Sequence, residues 1–355
     1  MIFRYSLIIF LILLLIFRIF YSPKSFKNGD NIKITTTIRS EVIQYDKYQY
    51  LKFKGLKIYL PKYPEVIYGD RVEIVGEIES NRLKVKSFNI QKSAENNLFL
   101  RFRHRLITFY KSSLPEPYSS LVAGIVLGSK NMPSEFWEKL KLTGTAHIVV
   151  ASGTNITLLT SFLISSLTLF IKRKNAVFIT GAGIILYLFL SGFDAPLVRA
   201  SIMAGIVFLA QIKGKVIETF KVLIITAILM LIIMPEWITD LGFLLSFVAS
   251  GSIIVFGKRL EKYVSRFPNV FKESLVTTIS AQIGVLPILY LTFGQFNIAS
   301  FIINPLVLWI TPHVMVLGAL GGIIGLIVPI FGKFILFVLF PLLYYFVQVI
   351  EIFNF

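Results

Sequence analysis

Long apolar runs, separated by short charged or Gly- and Pro-containing segments, occupy most of the chain. A helix needs about 20 apolar residues to cross the hydrocarbon core of a bilayer, and several runs approach that length. The predicted spans are residues 146–171, 176–193, 196–212, 221–234, 241–257, 275–293, a broken segment 298–331, and 333–350. The pattern predicts a polytopic α-helical membrane protein with about eight transmembrane helices, some of them broken or re-entrant.

The first apolar run, residues 5–21, contains one charged residue, Arg18, close to its end. The run is too long for the core of a signal peptide, and no small-x-small cleavage site follows it. We therefore expect residues 1–22 to form an uncleaved N-terminal transmembrane anchor, with the Arg18 side chain reaching the interface.

A different pattern begins after this run, because apolar positions recur every second residue between residues 28 and 92. Strands are expected around Ile34 and at residues 48–53, 56–60, 71–78 and 83–90. Several short strands in a segment of this length favour a small barrel, with the OB-fold as the leading candidate. Residues 23–97 are thus predicted to form a small all-β OB-like soluble domain inserted after the first helix.

This β segment also carries a candidate surface for nucleic acid. It has 14 Lys and Arg against 9 Asp and Glu, and its tyrosines include Tyr48 and Tyr50, accompanied by Tyr45 and Tyr59. Aromatic rings stack bases in OB-folds that bind single strands. The other interpretation is that these are ordinary strand tyrosines, which β-propensity alone explains.

Residues 98–144 are predicted to form amphipathic interfacial helices. In residues 98–114 four basic side chains stand among aromatic and aliphatic ones, with no acidic residue between them. The four are Arg101, Arg103, Arg105 and Lys111. A basic amphipathic helix suits the headgroup region of a bilayer, and contact with DNA is the alternative.

The chain has a formal net charge of +17 and a mean hydropathy of +0.75. Placing residue 1 in the cytoplasm brings three basic clusters, at residues 172–174, 213–215 and 258–272, to the cytoplasmic side. The OB-like domain then lies outside the cell membrane of a bacterium. The excess of basic residues also fits a polyanionic substrate such as DNA.

Polar interruptions mark four of the apolar segments. Lipid offers no hydrogen bonds, so we expect such residues to line a pore or substrate path in the channel domain, residues 145–355. The candidates are Ser152, Gly153, Asn155, Asp194, Arg199, Asp240, Gln282 and Asn304. Arg199 is expected to pair with Asp194 or Asp240, while Asp240 has an alternative role as a helix N-cap.

The sequence offers little for catalysis. Cysteine is absent, and the three histidines, His104, His147 and His313, form no metal-ligand pair. His147 is five residues from Ser152, which places the two on different faces of a helix. We expect a protein that is not an enzyme, with no catalytic residues, metal or cofactor.

Four motifs in order resemble the competence domain of the ComEC family of DNA-internalisation channels. They are Ala151-Ser152-Gly153-x-Asn155, Pro196-x-x-Arg199-Ala200, Asp240-x-Gly242-Phe243-x-Leu245-Ser246-Phe247, and Gln282-x-Gly284-x-x-Pro287 followed by Asn304-Pro305. The β segment is similar to the OB-like domain of that family. No His-x-His-x-Asp-His motif of the metallo-β-lactamase-like domain of many members is found here.

The resemblance implies a membrane channel that passes single-stranded DNA into the cytoplasm during natural transformation. It also implies an extracytoplasmic DNA receptor and a cytoplasmic helicase-like motor as partners, and a separately encoded nuclease if one strand is degraded. The alternative is a non-enzymatic transporter or scaffold for another anionic substrate, such as lipid or cell-envelope precursors.

Overall fold

The computed structural model describes residues 28–38, 42–45, 47–53, 56–79, 82–91, 97–150, 152–264, 269–293 and 299–353. A β domain precedes a large helical region in this order. The prediction of a polytopic helical membrane protein with a small β domain is confirmed. The expected anchor, residues 1–22, lies outside the described residues.

In the described part of the β segment, six short strands form a single sheet. They are β1 (Asn31–Thr37), β2 (Ile43–Gln44), β3 (Tyr48–Phe53), β4 (Leu56–Pro61), β5 (Arg71–Glu79) and β6 (Arg82–Gln91). Their order is β1-β5-β6-β4-β3-β2, antiparallel except for the β4–β6 pair. The strands predicted from alternation agree with these bounds to within one or two residues.

The sheet has to curve into a partly open barrel. β1 and β2 follow one another in the chain but occupy opposite edges of the sheet. In a flat sheet these edges would stand about 24 Å apart. The chain between Thr37 and Ile43 reaches at most about 20–22 Å. Treating β1 and β2 as two halves of one first strand gives the five-stranded architecture of an OB-like barrel.

The barrel core confirms the period of two. Along β4, Leu56, Ile58 and Leu60 are buried while the residues between them are exposed. Ile74 and Ile78 of β5 join the same core. The sequence folds this way because every second side chain of a strand points to the same face.

Thirteen α-helices follow among the described residues. They are α1 (Leu98–Ser113), α2 (Tyr118–Leu127), α3 (Ser134–Leu142), α4 (Ala146–Val149), α5 (Gly153–Leu167), α6 (Arg173–Ser191), α7 (Ala195–Ile212), α8 (Thr219–Ile233), α9 (Leu241–Glu261), α10 (Asn269–Phe293), α11 (Ser300–Leu308), α12 (Thr311–Ile327) and α13 (Pro329–Ile352). A short 3₁₀ helix, Pro235–Thr239, links α8 and α9.

Six helical segments in the described part of the chain are long and apolar enough to cross a membrane. The α11–α12 pair, bent by 43°, makes a seventh if it is one span. The predicted break within residues 298–331 is therefore present, and it falls between Leu308 and Thr311. The 15 residues of α8 are apolar but shorter than a usual span.

The hairpin of α1 and α2 packs against α12 through a row of glycines. Gly318 contacts Val122 of α2, Gly322 contacts Tyr110 of α1, and Gly325 contacts Phe109. Small residues let helices approach closely in membrane proteins. Nine of the ten residues of α2, all except Tyr118, are buried, so this short helix lies inside the bundle.

The β domain rests on one end of the helical region. The Tyr68 hydroxyl donates to the Phe189 carbonyl near the end of α6, and Leu100 of α1 lies against Gly69. The basic residues at the start of α6 and at the end of α9 therefore lie at the opposite ends of their helices. The basic clusters and the β domain are thus on different sides of the bundle.

Gly332 provides a test of the α12–α13 packing. A Cβ added there would lie 2.2 Å from the Cα of Gly325 and 2.6 Å from the Gly321 carbonyl oxygen, and backbone atoms cannot move away cheaply. We expect Gly332→Ala to destabilise the detergent-solubilised protein by about 1–3 kcal/mol. Thermal unfolding measures this loss.

Gly181→Ala in α6 is the matched control, because a Cβ there meets no atom within 4 Å. Alanine has the higher helix propensity, so this variant should unfold at the wild-type temperature or above it. Equal unfolding temperatures for the two variants would contradict the close helix packing.

Candidate functional site

Arg199 is the centre of the candidate site. It lies one turn inside α7, and its guanidinium donates to the Ser246 carbonyl oxygen and to the Ser250 hydroxyl. The Phe247 ring lies 5.9 Å from the guanidinium carbon, within the range of a cation–π contact. Ser246 and Ser250 stand four residues apart, so one face of α9 holds the arginine.

The partners of Arg199 are neutral, and the expected pairing with an aspartate is wrong. Arg199 makes no ion pair with any residue that the structure describes. Asp194 instead pairs with Lys130, at 2.8 Å between Oδ2 and Nζ, and both side chains are at most 20% exposed. The Asp240 carboxylate accepts a hydrogen bond from the Phe243 N–H at 2.9 Å. Asp240 is therefore the N-cap of α9, and the positive charge of Arg199 is not neutralised by it.

The first polar interruption packs directly against this arginine. A Cβ added to Gly153 would lie 2.6 Å from an Nη atom of Arg199, so the glycine leaves room for the guanidinium. Ser152 stands beside it, half-buried, with its hydroxyl 3.3 Å from Asn155 Oδ1. The structure thus brings Gly153 and Arg199 together across the α5–α7 interface.

Asn155 does not line an open path. Its side chain is fully buried, and Nδ2 donates to the Ile125 carbonyl at 2.9 Å and lies 3.2 Å from the Tyr187 hydroxyl. The amide therefore joins α2, α5 and α6. The prediction of a pore-lining Asn155 is corrected to a residue that fixes three helices beside Gly153.

The fourth interruption forms a second polar group. Gln282 Nε2 of α10 donates to the Ser300 hydroxyl of α11 at 3.3 Å. Asn304 lies one turn further along α11 and is 2% exposed. Gly144 closes this group, because a Cβ there would lie 3.0 Å from Ser300 Cβ. Gln282 and Asn304 therefore occur together, in a group distinct from that of Arg199.

Arg103 is not a surface contact for DNA. It is 4% exposed, and its guanidinium donates to the Leu127 carbonyl at 2.5 Å and to the Leu190 carbonyl. Those carbonyls lie at the C-terminal ends of α2 and α6, where a cation is favoured and helical partners are missing. Arg103 also lies over the Tyr68 ring at 5.5 Å. The other three basic candidates of α1 are exposed: Arg101, Arg105 and Lys111.

Four tyrosines of the β domain form a continuous aromatic cluster. Tyr48 is 4.7 Å from Tyr45 and 5.5 Å from Tyr59 between ring centroids, and Tyr50 is 5.3 Å from Tyr59. We call these four residues the tyrosine cluster. Arg82 lies over the Tyr59 ring at 5.8 Å, and Tyr48 and Tyr59 are more than a third exposed. The rings of Tyr48 and Tyr59 therefore offer a face or an edge to a ligand, and the Arg82 cation lies beside Tyr59.

Two members of the tyrosine cluster, Tyr45 and Tyr50, have raised pKa values and are neutral near neutral pH. Burial raises the pKa of Tyr50 above its ordinary value, and neighbouring Tyr59, Tyr45 and the Asp240 carboxylate add to this. Burial likewise raises the pKa of Tyr45, and Lys141 of α3 partly offsets the rise. The effect of Asp240 also shows that the start of α9 lies near the β domain.

Sequence reasoning missed several residues of this region. Lys130, the partner of Asp194, carried no recognisable signal within a short Gly-Ser-Lys-Asn loop. Ser250 did carry a recognisable signal, since it lies one turn after Ser246 in α9. Lys141 lies 5.9 Å from the Tyr45 ring and joins the helical region to the tyrosine cluster. In the described part of the chain, no group of three or more His, Asp or Glu side chains is arranged to hold a metal.

Comparison with protein families decides the relationship. A family model described as Competence protein matches residues 125–355, which is more than half of the chain. The chain belongs to this competence protein family. The resemblance predicted from the four motifs is confirmed, and the matched residues include every residue of the Arg199 and Gln282 groups.

Curated relatives share part of the chain. ComE operon protein 3 of Bacillus subtilis (strain 168) is 26% identical over 242 residues, which are 66% of this chain and 31% of that protein. The uncharacterized protein YcaI of Escherichia coli (strain K12) is 24% identical over 61% of this chain and 31% of its own length. An uncharacterized protein of Aquifex aeolicus (strain VF5) is 24% identical over 76% of this chain and 62% of its own. No solved structure matches.

Arg103 allows a direct test of the helix junction. Arg103→Met removes the donor to two buried carbonyls, and each unsatisfied group costs about 1–3 kcal/mol. We expect the unfolding temperature of the full-length protein in detergent to fall clearly. Arg101→Met, an exposed arginine on the same helix, is the control and should unfold like the wild type. Identical melting of the two variants would show that Arg103 does not hold the junction.

Proposed function

We propose that this protein is a membrane channel that passes single-stranded DNA into the cytoplasm during natural transformation. Membership of the competence protein family supports a role in DNA uptake. ComE operon protein 3 is named for a competence operon, and this chain covers 31% of it. Beyond this role in uptake, we propose channel activity, single-stranded DNA as the substrate and a path through the helices.

One observation supports this proposal most directly. Arg199, a cation within an apolar helix, has only neutral partners among the described residues. An unpaired charge inside the membrane costs free energy. A carboxylate partner would lower that cost, but it would also cancel the electric field of the cation. Arg199 instead keeps its charge, held by the Ser246 carbonyl and the Ser250 hydroxyl. An unneutralised guanidinium beside a small residue, Gly153, suits transient contact with a passing phosphate.

The β domain supports a nucleic-acid substrate over another anion. Three residues of the tyrosine cluster, Tyr48, Tyr50 and Tyr59, lie on β3 and β4, which are the second and third strands of the five-stranded barrel. That face is the one on which OB-folds bind oligonucleotides. Base stacking on aromatic rings is sequence-tolerant, and Arg82 beside Tyr59 offers a cation for the backbone. The exposed Arg101, Arg105 and Lys111 of α1 add further phosphate contacts.

The arrangement also fits an extracytoplasmic β domain in a multi-pass cell membrane protein. The basic clusters that begin α6 and end α9 lie at the far ends of the helices from the β domain. By the positive-inside rule those ends face the cytoplasm. A strand would then meet the β domain first and Arg199 next.

Transport of this kind implies partners. We propose an extracytoplasmic receptor that delivers DNA and a cytoplasmic helicase-like motor that pulls it, with a separate nuclease where one strand is degraded. Anionic lipid in the surrounding bilayer would contact the exposed basic face of α1. The protein itself then needs no catalytic residue for this role.

Arg199 gives the first test of the channel. In a naturally transformable host, Arg199→Gln should lower transformation by at least about tenfold, equivalent to about 1.4 kcal/mol in the rate-limiting step. Arg199→Lys should retain part of the activity, because it keeps the charge and loses the planar fork. The measurement is transformation frequency, with surface-bound DNA counted in the same cells.

Two variants control this experiment. Lys333→Gln removes an exposed positive charge far from the site and should leave transformation unchanged. Gly153→Ala should reproduce the loss without any change of charge, since its Cβ displaces the guanidinium, whereas Gly205→Ala meets open space and should not. Normal transformation with Arg199→Gln would refute the role of this residue.

The tyrosine cluster separates DNA from other anionic substrates. A Tyr48→Ala, Tyr59→Ala double variant of the full-length protein should bind single-stranded DNA at least about tenfold more weakly, at about 1–3 kcal/mol per stacked base. Binding should also weaken as salt rises, because phosphate contacts release counterions. Fluorescence anisotropy with a labelled oligonucleotide measures both effects.

Tyr63→Ala is the matched control, since Tyr63 is 73% exposed on the same domain and outside the tyrosine cluster. It should bind like the wild type. If the wild-type protein shows no salt-sensitive DNA binding, the transport of lipid or cell-envelope precursors becomes the better explanation of Arg199.

A further inference from the structure

Two amide oxygens differ from the other buried polar atoms of the helical region. Among the residues that the structure describes, Gln282 Oε1 of α10 and Asn304 Oδ1 of α11 have no hydrogen-bond partner. A buried hydroxyl can donate to a carbonyl of its own helix, whereas an amide oxygen only accepts. Because the N–H groups inside a helix are already engaged, these oxygens require an outside donor or a cation.

The two oxygens belong to one polar group. Gln282 is joined to Ser300 at 3.3 Å, and Ser300 and Asn304 are neighbours on one face of α11. Ser300 is 3% exposed and Asn304 is 2% exposed, so lipid and bulk water are both excluded. Pro287 has no N–H, so the Ile283 carbonyl beside Gln282 also loses its regular helical donor. These oxygen acceptors all lie on α10 and α11, two helices that pack against each other.

The backbone around this group has the form of a cation site. The 43° bend between α11 and α12 follows within one and a half turns of Asn304. Broken helices in membrane transporters use the carbonyl ends of their halves to coordinate cations. The side chains in mutual contact here, Gln282 and Ser300, with Asn304 beside them, include no carboxylate. A neutral oxygen set suits a monovalent ion better than a divalent one, which is usually bound by carboxylates.

We propose that Gln282, Ser300 and Asn304 form a binding site for a monovalent alkali cation, with Na⁺ as the probe ion. The site itself stands independently of DNA. Its role in transport rests on the proposed function: anionic DNA entering the cytoplasm moves against an inside-negative potential, and a cation held in the path offsets part of that charge.

Binding of ²²Na⁺ to the full-length protein in detergent tests the site. The wild type should show saturable binding that unlabelled Na⁺ displaces. Asn304→Leu removes the acceptor while keeping the number and branching of the side-chain heavy atoms, and it should weaken binding by about tenfold or more. Asn304→Asp adds a carboxylate at the same position and should strengthen binding. Asn175→Leu, at an exposed position in the first turn of α6, is the control and should bind like the wild type.

The outcomes decide between a cation and water. The proposal is wrong if the wild type has no saturable ²²Na⁺ binding, or if folded Asn304→Leu binds Na⁺ normally. Water molecules would then donate hydrogen bonds to the two amide oxygens. Should Asn304→Leu fail to give a monodisperse protein, the gain expected of Asn304→Asp decides instead. Saturable Na⁺ binding by a protein that does not support DNA uptake would refute the proposed function and leave the cation site standing.

Discussion

A polar group within an apolar helix has to find its partner inside the protein, and the helical region is arranged around this constraint. Arg199 meets it through a backbone carbonyl and a hydroxyl of α9 and through the ring of Phe247. The charge is thus solvated by neutral groups without being cancelled. This arrangement fixes α7 against α9 and at the same time leaves an electrostatic field at the end of the bundle nearest the β domain.

The same constraint explains why other polar residues have structural roles, in which their hydrogen bonds join neighbouring helices. Asn155 satisfies its amide by bonding to α2 and α6, and this brings Gly153, two residues earlier, against Arg199. Arg103 satisfies two carbonyls at helix ends and carries the Tyr68 ring of the β domain on its guanidinium. Asn155, Arg103 and Arg199 therefore obey one rule, but Arg199 keeps one N–H donor, at Nε, without a partner among the described residues.

Periodicity was sufficient to predict the elements, because burial imposes a period of two on β4 and β5 and long apolar runs on the spans. It also indicated the break between α11 and α12, since Pro305 and Pro312 interrupt an apolar run. Periodicity did not predict which charged residues pair with each other. Arg199 and Asp194 are five residues apart in sequence, yet Asp194 pairs with Lys130 from a loop more than sixty residues away. Long-range packing decided that contact, and a single sequence contains no local signal for it.

The pairing that was mispredicted clarifies the electrostatics of the site. Asp194 is neutralised by Lys130, and the Asp240 carboxylate is engaged at the positive N-terminal end of α9. Arg199 has no such partner among the described residues, so its positive charge is not cancelled by a neighbouring carboxylate. A polyanion at this end of the bundle would be attracted to Arg199, whereas a direct Arg199–Asp194 pair would have left the uncompensated positive charge on Lys130 instead.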